Sequence, residues 1–348
     1  MIVRSLPARF GDCLLVTWGS PKRAMLIDAG LGKTYTESLR LALAQCRALG
    51  IRRLELVVVT HIDRDHIGGI EQTLTLQHDH GLPIAEVWFN GEPHLPRAPA
   101  RLRGVEQGET VGRLLKAQSI PWNTSLAGKA IRIPARGPLP SVTLPGGLRL
   151  TVLAPDLAQL KRLADLWPEA VRSAEAVEPL ARGPVSPRRP PPVAPIDIDR
   201  LAAEPFSEDD SVANGSSIVL LLEQGRKAAV LTGDAYPSLV LAGWRRLVAS
   251  RGSAPKLDLL KLSHHGSSTN TSPELLRTLK PRKVLVSSDG SAYGHPHAQT
   301  LAWAIRELKG VELLFNYDNE YSRPWAETAA RPRSGFKVRV GGRDGIAV

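Results

Sequence analysis

Ten residues constrain this chain more than any others. Thr60-His61-Ile62-Asp63-Arg64-Asp65-His66-Ile67-Gly68-Gly69 places four metal-competent side chains within six positions. The run before them, Leu54 to Thr60, is apolar in the manner of a strand buried on both faces. The segment after them, Ile67 to Gly81, reads as a helix closing at Gly81. A loop between a buried strand and a helix can fold His and Asp side chains inward. There, imidazole nitrogen and carboxylate oxygen suit Zn²⁺, Mn²⁺ or Fe, and several carboxylates together can bridge two cations.

Three further polar clusters also follow buried strands. Leu231-Thr232-Gly233-Asp234 sets a carboxylate directly after one of them. Ser263-His264-His265-Gly266-Ser267-Ser268 follows a second. Adjacent histidines point differently, so one can bind metal while the other holds a carboxylate or a substrate. Tyr293-Gly294-His295-Pro296-His297 follows a third, where His295 is a candidate proton donor or phosphate contact. Gly32-Lys33-Thr34 mimics the tail of a phosphate-binding P-loop, but the required earlier glycine is Ile27 and the match fails.

Around these loops the chain alternates strands and helices. The first 90 residues read as β-β-α-β-α-β: two strands by residue 30, a helix over 35–49, a strand over 54–60, a helix to Gly81 and a strand over 84–90. One helix is expected near 112–118, a strand over 148–155 and a helix over 157–176. The second half predicts a hairpin (216–224 and 227–234) turning at Gly225-Arg226, and a helix over 237–250. Strands at 257–266, 283 onward, 311–317 and 335–342 are interleaved with helices over 272–280 and 298–310. Ser272 is the expected N-cap of the first of these, with Pro273 at its first position. Such alternation argues for an α/β layered fold. The Pro-rich stretch 183–199 can neither pair as a central strand nor continue a helix, and reads as an exposed insertion.

Composition excludes several classes. With 348 residues and 43% hydrophobic content a substantial core is available. The two cysteines, Cys13 and Cys46, exclude a disulfide scaffold and a Cys-rich zinc module. No apolar run approaches the roughly 20 residues of a membrane span. Arg9 and Asp12 interrupt the amino-terminal apolar stretch, so a cytoplasmic protein without a membrane partner is expected. The net charge is +11, and the 97–136 stretch carries eight Lys/Arg against Glu106 and Glu109. A basic excess of this kind attracts phosphate-rich polymers.

Taken in order, His61-x-Asp63-x-Asp65-His66, then Gly233-Asp234, then His264-His265-Gly266-Ser267 resemble the metallo-β-lactamase superfamily. The set is most similar to the soluble hydrolase domain attached to the DNA-uptake competence protein ComEC and to its free-standing relatives. The resemblance runs from Gly11-Asp12 and Leu26-Ile27-Asp28-Ala29-Gly30 through the Gly294-His295-Pro296 segment. It implies a four-layer αββα sandwich of two mixed sheets flanked by helices. Because ligands fall on both sides of 183–199, residues 1–348 form one domain with that segment inserted.

The resemblance also implies one or two divalent cations, Zn²⁺ or Mn²⁺. His61 and Asp63 would ligate the first. Asp65, His66 and one of His264 or His265 would ligate the second, with Asp234 bridging. Asp28 would support the ligand loop, and Cys13 would pack in the core. Two departures stand out. Asp63 takes a position where most members have His, and Asn214-Gly215-Ser216-Ser217 stands where a third first-site histidine is expected. An oxygen-rich first site favours Mn²⁺ or a loosely held metal.

The expected function is metal-dependent hydrolysis of a phosphodiester, as a nuclease acting on nucleic acid through a metal-activated hydroxide. Asp65 would orient the hydroxide and His295 would protonate the leaving oxygen. Lys261, Ser267, Ser268 and Asn214 would contact substrate. One alternative is a hydrolase of a small phosphodiester, lactone or thioester. Another is a non-catalytic metal- or nucleic-acid-binding module with a degraded first metal site.

Overall fold

The computed structural model describes residues 1–96, 106–176 and 189–348. Of the basic stretch, 97–105 lie outside the described residues, and of the Pro-rich stretch, 183–188 do. Fourteen strands in the described residues form two mixed sheets. The first contains β1 (Ile2–Ser5), β2 (Leu14–Trp18), β3 (Arg23–Ile27), β4 (Leu54–Val58) and β5 (Val87–Trp88), in that spatial order. The second begins with β6 (Ser141–Leu144), β7 (Leu148–Ala154), β8 (Val219–Gln224) and β9 (Lys227–Leu231). It continues through β10 (Leu259–Lys261), β11 (Lys283–Val286), β12 (Glu312–Phe315) and β13 (Lys337–Val340). The carboxy-terminal β14 (Ile346–Ala347) returns to the first sheet and pairs antiparallel with β1.

Period-2 side-chain alternation explains the layering. In β8, Leu220 and Leu222 face a core shared with Met25, Ile27 and Val58 of the other sheet. Val219 and Leu221 face outward onto Trp244 and Leu247 of the helix Pro237–Arg251. The first sheet does the same, turning Leu26 and Val57 onto Leu43 and Cys46 of the helix Arg40–Ala48. Strands that bury both faces must be apolar throughout, which is why the sequence shows runs rather than alternation. The order is helix, sheet, sheet, helix, the four-layer sandwich expected.

Strand direction gathers the loops. β3, β4 and β5 run parallel, and so do β9 through β13. Their carboxyl ends therefore lie at one rim of each sheet, where ligand sites of open α/β sheets form. The sheets also meet there: the Ile218 N–H donates to the Thr60 carbonyl at 2.9 Å.

Local expectations fared unevenly. The hairpin turns where expected, with Gln224 paired to Lys227. The Ser272 hydroxyl caps its helix by accepting the Leu275 N–H at 3.1 Å. The stretch before Gly81 is three short helices rather than one: Arg64–Ile67, Ile70–Thr75 and Gln77–His80. The expected strand over 84–90 is ladder-paired only at Val87–Trp88, because the Phe89 N–H donates to the Asn123 side chain instead. β1, β6, β14 and the helix Arg323–Ala329 had no counterpart in the sequence reading.

Candidate metal centre

The centre is built on Asp234, which follows β9 and is buried. Four imidazoles present Nε2 to its carboxylate. His66 reaches Oδ1 at 3.3 Å, while His61, His264 and His265 reach Oδ2 at 3.9, 3.8 and 3.7 Å. Asp63 lies 3.4 Å from His61 Nε2, and Asp65 lies 3.0 Å from His265 Nε2 and 3.8 Å from His66 Nε2. All seven residues named as ligands from sequence thus meet at one place. Neither member of the His264-His265 pair is turned away.

What faces the other ring nitrogen fixes each histidine. His66 Nδ1 is 2.8 Å from Asp28 Oδ2, and the Thr60 hydroxyl donates to the same oxygen at 2.7 Å. The Thr60 oxygen, its proton so committed, accepts from His61 Nδ1 at 3.0 Å. Asp28 therefore sets two tautomers, one directly and one through Thr60. His265 Nδ1 donates to the Ser287 carbonyl at 2.9 Å, and His264 Nδ1 donates to Asn270 Oδ1 at 3.1 Å. In every case Nδ1 is engaged by a partner on the far side and Nε2 is turned towards Asp234. The Nε2 atoms of His61 and His66 and Asp234 Oδ1 are buried and make no hydrogen bond. Buried polar atoms are rarely left so, and a cation among them would satisfy all three. Asp12, His66, Asp234 and His265 each offer a donor atom within 4.8 Å of the others.

Electrostatics agree. Burial opposes charge on Asp234, but His66, His265 and His264 outweigh it and hold its pKa well below the usual carboxylate range. Burial likewise opposes protonation of His66 and His265. The carboxylates around them, Asp234 foremost, raise the former well above its usual value and the latter to about 9. The cluster demands positive charge. His295 behaves oppositely: burial and then the neighbouring histidines His264, His297 and His265 depress its pKa strongly. Its neutral form is favoured, which bears on the part of proton donor expected of it. Its ring is 5.0 Å from that of His264 and 4.6 Å from that of His297.

The backbone is strained here. Asp28, His264, His265 and Tyr293 all have positive φ, at 56°, 48°, 56° and 56°. Each such residue costs about 1–3 kcal/mol, and such residues cluster at functional sites. Packing forces one more requirement. A Cβ on Gly69 would lie 2.3 Å from the Ala29 carbonyl oxygen, so only glycine lets the ligand loop sit against the end of β3.

The expected substrate contacts need correction. Lys261 is fully buried with its ammonium against Asp12, and its Nζ also donates to the Gly233 carbonyl at 3.2 Å. It lies beneath the centre and is closed to substrate. Ser267, Ser268 and Asn214 are buried as well. The Ser267 hydroxyl is 2.9 Å from that of Thr269, and the Ser268 N–H and hydroxyl both lie 3.0 Å from His297 Nδ1. Asn214 Nδ2 sits 3.3 Å from His264 Nδ1 and donates to Asp209 at 2.6 Å. Asn270 donates to the same Asp209 oxygen at 2.8 Å. Asp209 thus steadies the two amides around His264. The sequence reading missed Asp209, since one acidic residue in a polar loop carries no local signal. Cys13 is buried in the core, as expected.

A family model described as "Metallo-beta-lactamase superfamily" matches residues 6–290. ComE operon protein 3 of Bacillus subtilis (strain 168) is 32% identical over 106 residues, which is 30% of this chain and 13% of that protein. Competence protein ComA of Neisseria gonorrhoeae is 37% identical over 102 residues, 29% of this chain and 14% of its own. The chain therefore spans only a small part of the curated relatives it matches. Human tRNase Z, short form, aligns with 100% of this chain and 98% of its own at 11% identity and a TM-score of 0.44.

Proposed function

Because the chain belongs to the metallo-beta-lactamase superfamily, we propose that it is a metal-dependent hydrolase cleaving phosphodiester bonds of nucleic acid. One observation carries the reading: four imidazole Nε2 atoms and three carboxylates, from both sheets, converge with buried donor atoms left unbonded. The donor set fits one or two divalent cations, Zn²⁺ or Mn²⁺. His66, Asp65, His265 and Asp234 would hold one; His61, Asp63, His264 and Asp234 would hold the other. His264 would take the part left open by Asn214, with its ring oriented by Asn270. The same reading takes residues 1–348 as one domain with 183–199 inserted.

When bound, such a cation supplies Lewis acidity, which lowers the pKa of water from about 15.7 to about 7. The chain's own groups do the rest. Asp65, with its side chain 17% exposed, accepts a hydrogen bond from the attacking water and orients it. Neutral His295 offers an N–H to the leaving oxygen, in a wall built by His297 and Ser268. Basic side chains guide the polymer. Lys129 and Arg132 line a surface cleft of about 590 Å³ together with His94 and several prolines. The resemblance of the ordered motifs to the hydrolase domain of the DNA-uptake competence protein supports nucleic acid as substrate, and one of the relatives matched is a competence protein. A binding module with a degraded first site gains little support, because His264 would stand beside His61 as a second imidazole of that site.

The test is cleavage of single- and double-stranded DNA and RNA by protein loaded with Mn²⁺, Mg²⁺ or Zn²⁺. Asp65→Ala should lower the rate by about 10²–10⁴-fold while the fold, read by circular dichroism, is retained. No cleavage with any of the three metals would overturn the reading.

A further inference from the structure

The Pro-rich stretch enters the described structure at Arg189, and it enters bound. The Arg189 N–H donates to the Tyr293 carbonyl at 3.4 Å, and its carbonyl accepts from the Tyr321 hydroxyl at 2.7 Å. Gly294, at φ +72°, makes room: a Cβ there would stand 2.3 Å from the Arg189 carbonyl oxygen. Farther on, the Ile196 N–H donates to the Thr328 hydroxyl at 3.3 Å. Residues 189–195 form no helix or strand, yet their path is held at both ends. Main-chain bonds that leave the side chain exposed place a guanidinium without consuming it.

The place it occupies is specific. Tyr293 and Gly294 begin the loop that carries His295 and His297, and the Tyr293 ring lies 5.7 Å from that of His295. The Arg189 charge reaches this loop, since after burial it is the next cause holding the His297 pKa down. Among the described residues Arg189 makes no ion pair with a carboxylate, although Arg323, two positions after the Tyr321 that holds its carbonyl, pairs with Asp318. On this side of the site His295 and His297 are both held neutral.

We propose that Arg189 is a substrate-binding residue: carried to the rim by the inserted stretch, its guanidinium holds a phosphate of the bound nucleic acid on the His295–His297 side. A phosphodiester chain is anionic at every linkage, and Arg presents a planar fork that matches phosphate oxygens in pairs. The insertion then has a task, which is to deliver one cation to the side of the site that the metal ligands do not cover. The assignment rests on the phosphodiesterase reading above.

The experiment measures equilibrium binding of a fluorescein-labelled single-stranded DNA to the full, metal-loaded chain, alongside its cleavage. Arg189→Ala should weaken binding about tenfold, with a correspondingly raised KM and little change in kcat. Arg189→Lys should fall between, keeping charge but losing the fork. The slope of log affinity against log salt should drop by about 0.7 for the lost contact. Arg226→Ala, in the β8–β9 turn, should match the parent, and metal content should be equal in all variants. Parent-like binding by Arg189→Ala overturns the proposal, as does a parent protein that binds no DNA. If the parent binds DNA without cleaving it, the hydrolase reading fails, while the Arg189 assignment is still decided by the binding ratio.

Discussion

Asp28 shows how much of the centre depends on residues that touch no cation. Its carboxylate accepts from the Thr60 N–H and hydroxyl and from His66, so it orients two of four imidazoles. Asp28→Asn places an NH₂ where an acceptor is needed. Metal affinity, read by chelator competition, should fall about 10–100-fold, with near-parental helix and sheet content. His297 makes a different prediction. Burial, then Arg189, lowers its pKa from 6.5 to about 4, so the fold favours the neutral ring. The stability this contributes is complete above pH 6.5 and is lost as pH falls from there towards 4. At pH 4.5 the loss approaches about 2–3 kcal/mol. His297→Gln should remove that increment from the difference between urea midpoints at pH 7.5 and 4.5. An unchanged pH dependence would show that the ring protonates freely.

At the scale of elements, the ligand loop depends on how closely its short helices approach the end of β3. Gly69→Ala sets a methyl against the Ala29 carbonyl, and the helix Ile70–Thr75 must shift to relieve it. We expect a loss of about 1–3 kcal/mol in denaturant stability, together with weaker metal binding, because Asp28 and His66 sit on the two pieces being forced apart. Gly128→Ala, with open space around its Cβ, should not weaken metal binding. Elements of this kind were legible in the sequence where one local signal decides them. The apolar run of β4, the Gly225-Arg226 turn and the Ser272 cap are such cases. β1 and β6 were not legible, since both are only four residues long and partly exposed; β1 is completed by the distant β14, and β6 is an edge strand paired with β7 alone. The site divides along the same line. Its candidate ligands stand in contiguous motifs at strand ends. The groups that orient them, the Ser287 carbonyl and Asp209, act across the fold and leave no pattern in the chain. Lys261 was misread for a related reason: a lysine near the Gly266-Ser267-Ser268 turn suggests an anion site, whereas burial of β10 turns it inward onto Asp12.

For the whole molecule, the centre is a seam. His61, Asp63, Asp65 and His66 follow β4 of the first sheet, whereas Asp234, His264 and His265 follow β9 and β10 of the second. A cation held by both groups ties the sheets together at one rim, where protein bonds such as that from Ile218 to Thr60 already join them. At that seam the Nε2 atoms of His61 and His66 and Asp234 Oδ1 make no hydrogen bond within the protein. A metal that binds the native arrangement and not the unfolded chain would add stability by mass action, about 2.7 kcal/mol at a hundred times the dissociation constant. Dialysis against a chelator should therefore lower Tm by several degrees, and Mn²⁺ or Zn²⁺ should restore it in proportion to metal bound. Asp234→Asn should abolish the response to chelator and to added metal alike, because it removes the one carboxylate shared by all four imidazoles. Arg226→Ala should keep it in full. A Tm indifferent to chelator in a protein shown to carry metal would mean that the cation sits on one sheet alone, and the two halves of the site would then have to be treated as separate.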